Sequence, residues 1–377
     1  MSDAVYTYQG HKIFILYLIY GFRIGGAERH LLDLCKGLDR SKFRPEIIYF
    51  HREEQMLPEF IQAGIPCSIF PVEGGELTLR EMWRLSRLIK RLKPDIVHVH
   101  LFHASRFGAM AAYMAGISRI IRTRHNVSEP GVKPGKKDRI WGVLLPVILD
   151  QTVAVSKAIA AQNRTPHVIY NGVDTNFFNP EVFDQSQLKI FSAEFGVNGS
   201  PVIGIAARLT RQKGHVNLLK AFSLLLTDYP DAQLLIAGDG EERATLEQLV
   251  IELKLTERVS FLGPIRKVRE FLSVLDLFVH PSIFEGLGIA VIEAMSMALP
   301  IVATKVDGLT ELITDGVEGI LVEPDNSEEL SSAMGRVLGD PSLLRELGRQ
   351  ARLKAVDKFS IETMVKKYEE LYLELCG

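Results

Sequence analysis

The chain has 377 residues, 47% of them hydrophobic and 24% charged, with a formal net charge of −2 and a pI near 6.6. That length exceeds what one hydrophobic core usually serves, so two domains of roughly 180 residues each are expected, and the near-neutral balance excludes a dedicated nucleic-acid binder. The average conceals an asymmetry: residues 1–180 hold 24 Lys+Arg against 16 Asp+Glu, whereas the remainder holds 20 against 30, so the first half is basic and the second acidic.

The first apolar run, "IFILYLIY" at 13–20, could form the core of a secretion signal. It lacks a basic leader and a small-residue cleavage site, and a glycine-rich turn follows it, so it reads as a buried first strand. No stretch reaches the roughly 20 apolar residues that a membrane-spanning helix needs. From there short β-branched runs alternate with longer helical patterns. The strands read as "KIFILYL", "PEIIYF", "CSIFPV", "DIVHVH", "RIIRTR", "QTVAVS" and "HVIYNG", then as "PVIGIAAR", "AQLLIAG", "RVSFLG", "LDLFVHPS", "LPIVAT" and "GILVEP". This alternation predicts an α/β protein with two doubly wound parallel sheets. The segment 179–201, "NPEVFDQSQLKIFSAEFGVNGSP", mixes proline, glycine and polar residues without a sustained period. It puts the boundary near 180–195, giving domains 1–180 and 181–359 and a last segment 360–377. Ligands of two such sheets are expected in a cleft at the carboxyl ends of the strands.

Cys35, Cys67 and Cys376 are odd in number and far apart, with no C-x-x-C spacing, which fits a reducing cytosol better than a disulfide or metal framework.

Several patterns bear chemistry. "YGFRIGGAERHLLDLCKGL" reads as a strand end, Gly25 and Gly26, then a helix; the glycines either open an anion or sugar contact at the helix N-terminus or serve packing alone. "DIVHVHLFH" puts His98 and His100 on one strand face with His103 beyond. No nearby carboxylate or thiolate completes a metal set and the chain has no Asp-x-Asp, so these read as core or cleft-lining histidines and no metal is expected. His125, after a later strand, is the better candidate for a substrate contact. Two basic stretches, one with Arg80, Arg84, Arg87, Lys90, Arg91 and Lys93 and one with Lys133, Lys136, Lys137 and Arg139, are either solvated faces or a surface that rests on anionic lipid.

In the second half, "IAARLTRQKGH" sets Arg208, Arg211 and Lys213 at a strand's carboxyl end, as a solvated loop or as cations for phosphate oxygens. "AGDGEER" is not a G-x-G-x-x-G fingerprint, so a nicotinamide or flavin reading has no support. "FVHPSIFEGLGIAVIEAM" reads as strand, glycine loop and a helix to about Ala298. Gly286 and Gly288 would let backbone approach a phosphate at that helix N-terminus. Glu285 and Glu293, eight positions apart, would stand roughly 12 Å apart at helical rise. A glycosidase needs carboxylates about 5–9.5 Å apart, so the pair is too wide for one; it suits a ligand with hydroxyls at both ends and a diphosphate between, as in a nucleoside diphosphate sugar. Otherwise Glu285 caps a loop and Glu293 is an exposed helix position.

These residues are similar to a known pattern. Glu285 and Glu293 match the E-x7-E motif of glycosyltransferase family 4, retaining enzymes of the GT-B fold with two Rossmann-like domains facing across a cleft. "ARLTRQKG", "YNGVD", "AGDGEE", "EAMSMALPIVAT" and "ELITDGVEGILVEP" resemble that family's blocks, most specifically in the second domain. The resemblance implies that Arg208 and Lys213 hold the diphosphate, that Glu293 binds ribose hydroxyls and that Glu285 contacts the donor sugar. It also implies that backbone around Gly286, Leu287 and Gly288 cradles phosphate and sugar, that His125 meets the sugar near its reacting carbon, and that Gly25 and Gly26 line the donor pocket. It implies no metal and no cofactor, front-side attack with a donor phosphate oxygen taking the acceptor's proton, and a last helix that crosses back onto the first domain. Leu287, Ala298 and Asp307 depart from the family pattern, which bears on donor preference.

The expectation is therefore a cytosolic retaining transferase, resting on the inner membrane face, that moves a sugar from a UDP or GDP donor to a lipid-linked or cell-surface glycan. The rivals are a nucleotide-sugar epimerase or phosphorylase on the same fold, and a non-catalytic nucleotide-sugar sensor.

Overall fold

The computed structural model describes residues 11–72, 78–101, 104–125, 135–163, 165 and 167–377, with the side chains of 136–139 and 163 outside the description. His103 and Lys133 therefore lie outside the described residues, as do the side chains of Lys136, Lys137 and Arg139. The chain divides into two compact units, Met1–Gly172 with Ile361–Gly377, and Val173–Ser360. The division falls a few residues before the expected 180.

The first unit is built on a parallel sheet of seven strands: β1 (Ile13–Ile19), β2 (Phe43–Tyr49), β3 (Cys67–Ile69), β4 (Ile96–His100), β5 (Ile120–Arg124), β6 (Gln151–Ala154) and β7 (His167–Val168). Their spatial order is β3-β2-β1-β4-β5-β6-β7. All seven residues of β1 are buried, as expected of a parallel strand covered on both faces. One face packs Tyr17, Ile19, Leu31 and Leu34, and the other packs Leu16, Leu18, Leu85 and Ile89.

The first face is closed by the helix Ile361–Cys376, which contributes Met364, Val365, Tyr368, Leu371 and Tyr372 to the core. A buried hydrogen-bond chain ties it to the sheet. Tyr372 Oη lies 3.0 Å from Tyr17 Oη and 2.8 Å from His98 Nδ1; His98 Nε2 lies 2.8 Å from Thr123 Oγ1, which lies 3.0 Å from Tyr368 Oη. The Asp39 amide donates to Glu369 (2.7 Å), which fixes the helix from the surface. Cys376 packs partly buried against the same core.

The second unit carries a six-stranded parallel sheet: β8 (Val202–Ala206), β9 (Gln233–Ala237), β10 (Val259–Gly263), β11 (Leu277–His280), β12 (Ile301–Thr304) and β13 (Ile320–Val322). Its order is β10-β9-β8-β11-β12-β13. In both sheets the direction of progression reverses beside the first strand, between β1 and β4 and between β8 and β11. Loops leaving those strands diverge there, which opens a crevice at their carboxyl ends. Among the described residues no helix is long and apolar enough to cross a membrane.

Candidate active site

In the second unit the crevice is made by the loops after β8 and β11. The β8 loop carries Arg208, which is exposed, and Lys213, which is mostly buried. The β11 loop carries Glu285, buried, then Gly286, Leu287 and Gly288, all buried. Gln212 holds the two loops together: its Nε2 donates to the Phe284 carbonyl (2.9 Å) and its own carbonyl accepts from the Ile283 amide (2.8 Å).

The sequence-expected Lys213 and Glu285 meet as an ion pair between Nζ and Oε2. The same oxygen lies 3.0 Å from His280 Nε2 and accepts from Ser282 Oγ (3.3 Å), while Oε1 accepts from the Gly286 amide (3.2 Å). Burial alone would push this carboxyl up, but the Lys213 ammonium and the His280 ring overcome it and hold it well below the ordinary carboxylate range. Burial pulls the His280 ring down, with the Glu285 hydrogen bond opposing, so the lysine is the cation that matters.

The helix after this loop starts at Ile289 and ends at Ser296. Residues 285–288 therefore precede it, and the roughly 12 Å reckoned for Glu285 and Glu293 from uninterrupted helical rise does not apply: only the later half of the interval rises as a helix. Gly288 caps the helix at φ +92, a left-handed conformation that favours glycine. Glu293, on the second helical turn, is half-buried. Ala298 stands two residues past the helix at φ +56, a left-handed position where glycine commonly closes the turn.

Sequence reasoning missed three participants. His280, the last residue of β11, was readable as a polar group at the carboxyl end of a central strand, by the same logic that picked His125. Gln212 gave no signal. Gly308 sits in the first turn of the short helix Asp307–Leu312 after β12, and a Cβ there would lie 2.6 Å from the Gly286 carbonyl group and 2.7 Å from the Glu285 carbonyl. It is the close packing of Gly308 that shapes the Gly286–Gly288 seat.

In the first unit, Gly25 caps and Gly26 begins the helix Gly26–Gly37. A Cβ on Gly25 would lie 2.6 Å from Glu28 Oε2, so a side chain of the helix itself crowds this glycine. One turn further, His30 is buried beside His125, with ring centroids 5.0 Å apart. His125 follows β5, half-buried, and its Nε2 lies 3.1 Å from His100 Nδ1. His30, from the Gly26–Gly37 helix, joins His100 and His125, with one ring nitrogen of each within 4.8 Å of the others. The basic helix Leu79–Leu92 keeps Arg80, Arg87, Lys90 and Arg91 exposed, with Arg87 stacked 3.9 Å above the Trp83 ring.

Comparison with known proteins matches this geometry to one family. Residues 24–177 match the pattern described as Glycosyltransferase Family 4, and residues 187–354 match that described as Glycosyl transferases group 1. The chain belongs to the family-4 glycosyltransferases. It is 29% identical over 360 residues to N-acetyl-alpha-D-glucosaminyl L-malate synthase of Bacillus anthracis, covering 93% of this chain and 90% of that protein. It is 25% identical over 373 residues to the Escherichia coli UDP-Gal:alpha-D-GlcNAc-diphosphoundecaprenol alpha-1,3-galactosyltransferase, covering 93% and 94%. The crystal structure of Anabaena HepE in complex with UDP-glucose superimposes with a TM-score of 0.85 at 25% identity, covering 95% of this chain and 98% of that one. This family-4 enzyme is a glycosyltransferase of the GT-B fold.

Proposed function

We propose that this glycosyltransferase moves a hexose from a UDP-sugar, with retention at the anomeric carbon and without a metal cofactor, to a lipid-linked glycan. The observation that carries the reading is the buried Lys213–Glu285 pair at the carboxyl ends of β8 and β11. A donor diphosphate offers Lys213 a stronger counterion than one carboxylate. On binding, the ammonium turns to the phosphates beside Arg208, and Glu285, still held by His280 and Ser282, accepts a sugar hydroxyl instead. The helix N-terminus after Gly288 adds its partial positive charge, and Glu293 takes the ribose hydroxyls. The uridine preference rests on the Escherichia coli relative's name and on the HepE complex.

The acceptor reading has its own support. On the helix Lys136–Ile148, Ile140, Val143, Leu144 and Val147 are 59%, 71%, 40% and 77% exposed, at the spacing of one helix face. With the basic balance of residues 1–180, that face suits the interface of an anionic bilayer, where a lipid-linked acceptor resides. Flotation with anionic vesicles, lost in the Val143→Asp/Val147→Asp variant, is the expected result; equal flotation on neutral vesicles argues against it.

The first test is a thermal-shift panel of UDP, GDP, ADP and NAD on the wild type and on Glu293→Ala. A ligand at 100 times its Kd adds about 2.7 kcal/mol. UDP alone should raise the Tm of the wild type and lose most of its effect on the variant. An equal response from the variant removes Glu293 from the site. Sugar isomers released without acceptor would instead mark an epimerase, dependence on inorganic phosphate a phosphorylase, and donor binding without turnover a sensor.

A further inference from the structure

We infer that Arg122 and Arg124, with Arg106 beside them, form a subsite in the first unit for a phosphate group carried by the acceptor. Both arginines stand on β5, and alternation along a strand turns them to one face of the sheet. That face is opposite His98 and Tyr368, which Thr123 reaches from between them. Arg122 instead pairs laterally with Val99, which packs with Leu85 and Ile89. Arg124 ends the strand, and Arg106 lies on the π-helical turn Ala104–Gly108 that follows β4. The group thus collects at the carboxyl ends of two neighbouring strands, beside the reversal between β1 and β4, where loops diverge and ligands bind.

The fold alone does not account for these charges. A parallel strand covered on both faces reads as an apolar run, and on this face Val97, Val99 and Ile120 keep to that rule. Arg122 and Arg124 break it, and both are half-buried. Among the described residues Arg122 reaches only Thr152 Oγ1, at 3.4 Å, and its Nε is buried without a hydrogen-bond partner. No carboxylate among those residues pairs with either side chain; the charges that act on them are arginines, Arg124 on Arg122 and Arg106 on Arg124. Burial and that repulsion pull both guanidiniums down, Arg122 to about 9. Desolvated like charges without a counterion are costly, and an anion between them removes the cost.

The charge count selects the ligand. A monocarboxylate offsets one guanidinium; a phosphate ester, at about −1.5 to −2, offsets two, and its oxygens match the guanidinium fork. The donor diphosphate is assigned to Arg208 and Lys213 in the second unit, so an anion site in the first unit belongs to the acceptor. This rests on the reading that the acceptor is a lipid-linked glycan, and it makes the link a phosphate or diphosphate. The side of the sheet agrees. Phe107, next to Arg106, meets Trp141 with ring centroids 5.9 Å apart, and Trp141 lies on the helix Lys136–Ile148 whose outer face we assign to the bilayer. A soluble sugar phosphate would carry the same group without the lipid.

The test is calorimetric titration of the full-length protein with inorganic pyrophosphate, with and without saturating UDP. One pyrophosphate per chain that UDP does not displace is expected, and Arg122→Gln or Arg124→Gln should weaken it about 10-fold or more. No binding, displacement of all the pyrophosphate by UDP, or equal affinity in both variants overturns the inference. Should a glutamine variant fail to fold, Arg122→Lys/Arg124→Lys decides: it keeps the charge and loses the fork, so affinity must fall, and an unchanged affinity overturns it. Farnesyl phosphate and glucose 1-phosphate then separate the two sources. Tighter binding of farnesyl phosphate supports the lipid; equal binding keeps the subsite and overturns the lipid-linked acceptor. Failure of the subsite leaves the UDP panel unaffected, and failure of that panel leaves the arginine variants readable.

Discussion

His98 Nδ1 lies 2.8 Å from the Tyr372 hydroxyl, which joins β4 to a helix 274 residues further along the chain. Both side chains are fully buried, so neither has water as an alternative partner. Tyr372→Phe removes the hydroxyl and leaves His98 and Tyr17 each short of a partner. Urea unfolding should show a loss of about 1–3 kcal/mol with an unchanged slope; a neutral substitution would mean that the network adds nothing to the apolar packing around it.

Lys213→Met tests the ion pair. Removing one partner of a buried pair strands the other charge, at a cost of about 3–5 kcal/mol. The Lys213→Met/Glu285→Gln double variant should regain most of that loss, while both variants lose donor binding. Additive losses in the cycle would show that the two residues do not interact in solution.

Acid should weaken the second unit. Burial, helped by His280 and Lys213, pulls His215 down to about 4, below its ordinary 6.5. Between those values the unfolded chain binds more protons than the folded one, so the contribution of His215 is complete above about pH 6.5 and is lost as pH falls toward 4. Glu285, held below the usual carboxylate range, adds a further loss as pH falls below its unfolded value of 4.5. His215→Gln should flatten the stability profile between pH 6.5 and 4; a profile parallel to the wild type would assign that slope to other groups.

Gly308→Ala presses a methyl group into the backbone of Gly286 and Glu285. No flexible side chain can yield there, so stability should drop by about 1–3 kcal/mol and UDP affinity with it. Gly316→Ala is the control: its φ of +76 makes alanine strained, yet nothing lies within 4 Å of the added carbon. It should cost about 1 kcal/mol and leave UDP binding alone.

Ala298→Gly should stabilise the protein by about 1 kcal/mol, because the left-handed turn after the Ile289–Ser296 helix penalises a Cβ. A lower Tm would mean that the methyl group packs to more effect than the strain it carries.

The thirteen strands of the described residues were legible, most plainly β1, β8 and β9, which are buried on both faces and read as near-continuous apolar runs. The Lys213 and Glu285 loops were legible too, since ligands gather where central strands end. What sequence does not carry is proximity between distant segments. His30 sits on a helix face among leucines and reads as a core residue until β4 and β5 bring His100 and His125 beside it. Gly308 looks like one glycine among many, since its importance lies in the backbone it touches. The separation of Glu285 and Glu293 was misjudged because helical rise was carried back across the glycine loop that precedes Ile289.

The first unit is discontinuous: its core waits for residues 361–377, whereas Val173–Ser360 is a single uninterrupted stretch. On the ribosome the order of completion is therefore reversed. The second unit can fold while its predecessor still lacks Tyr368 and Tyr372, and the first closes only once residues 361–377 have emerged. A message truncated just after codon 360 yields a chain whose second unit is finished and whose first unit exposes Tyr17, Leu31 and Leu34, the kind of apolar surface that chaperones and proteases recognise.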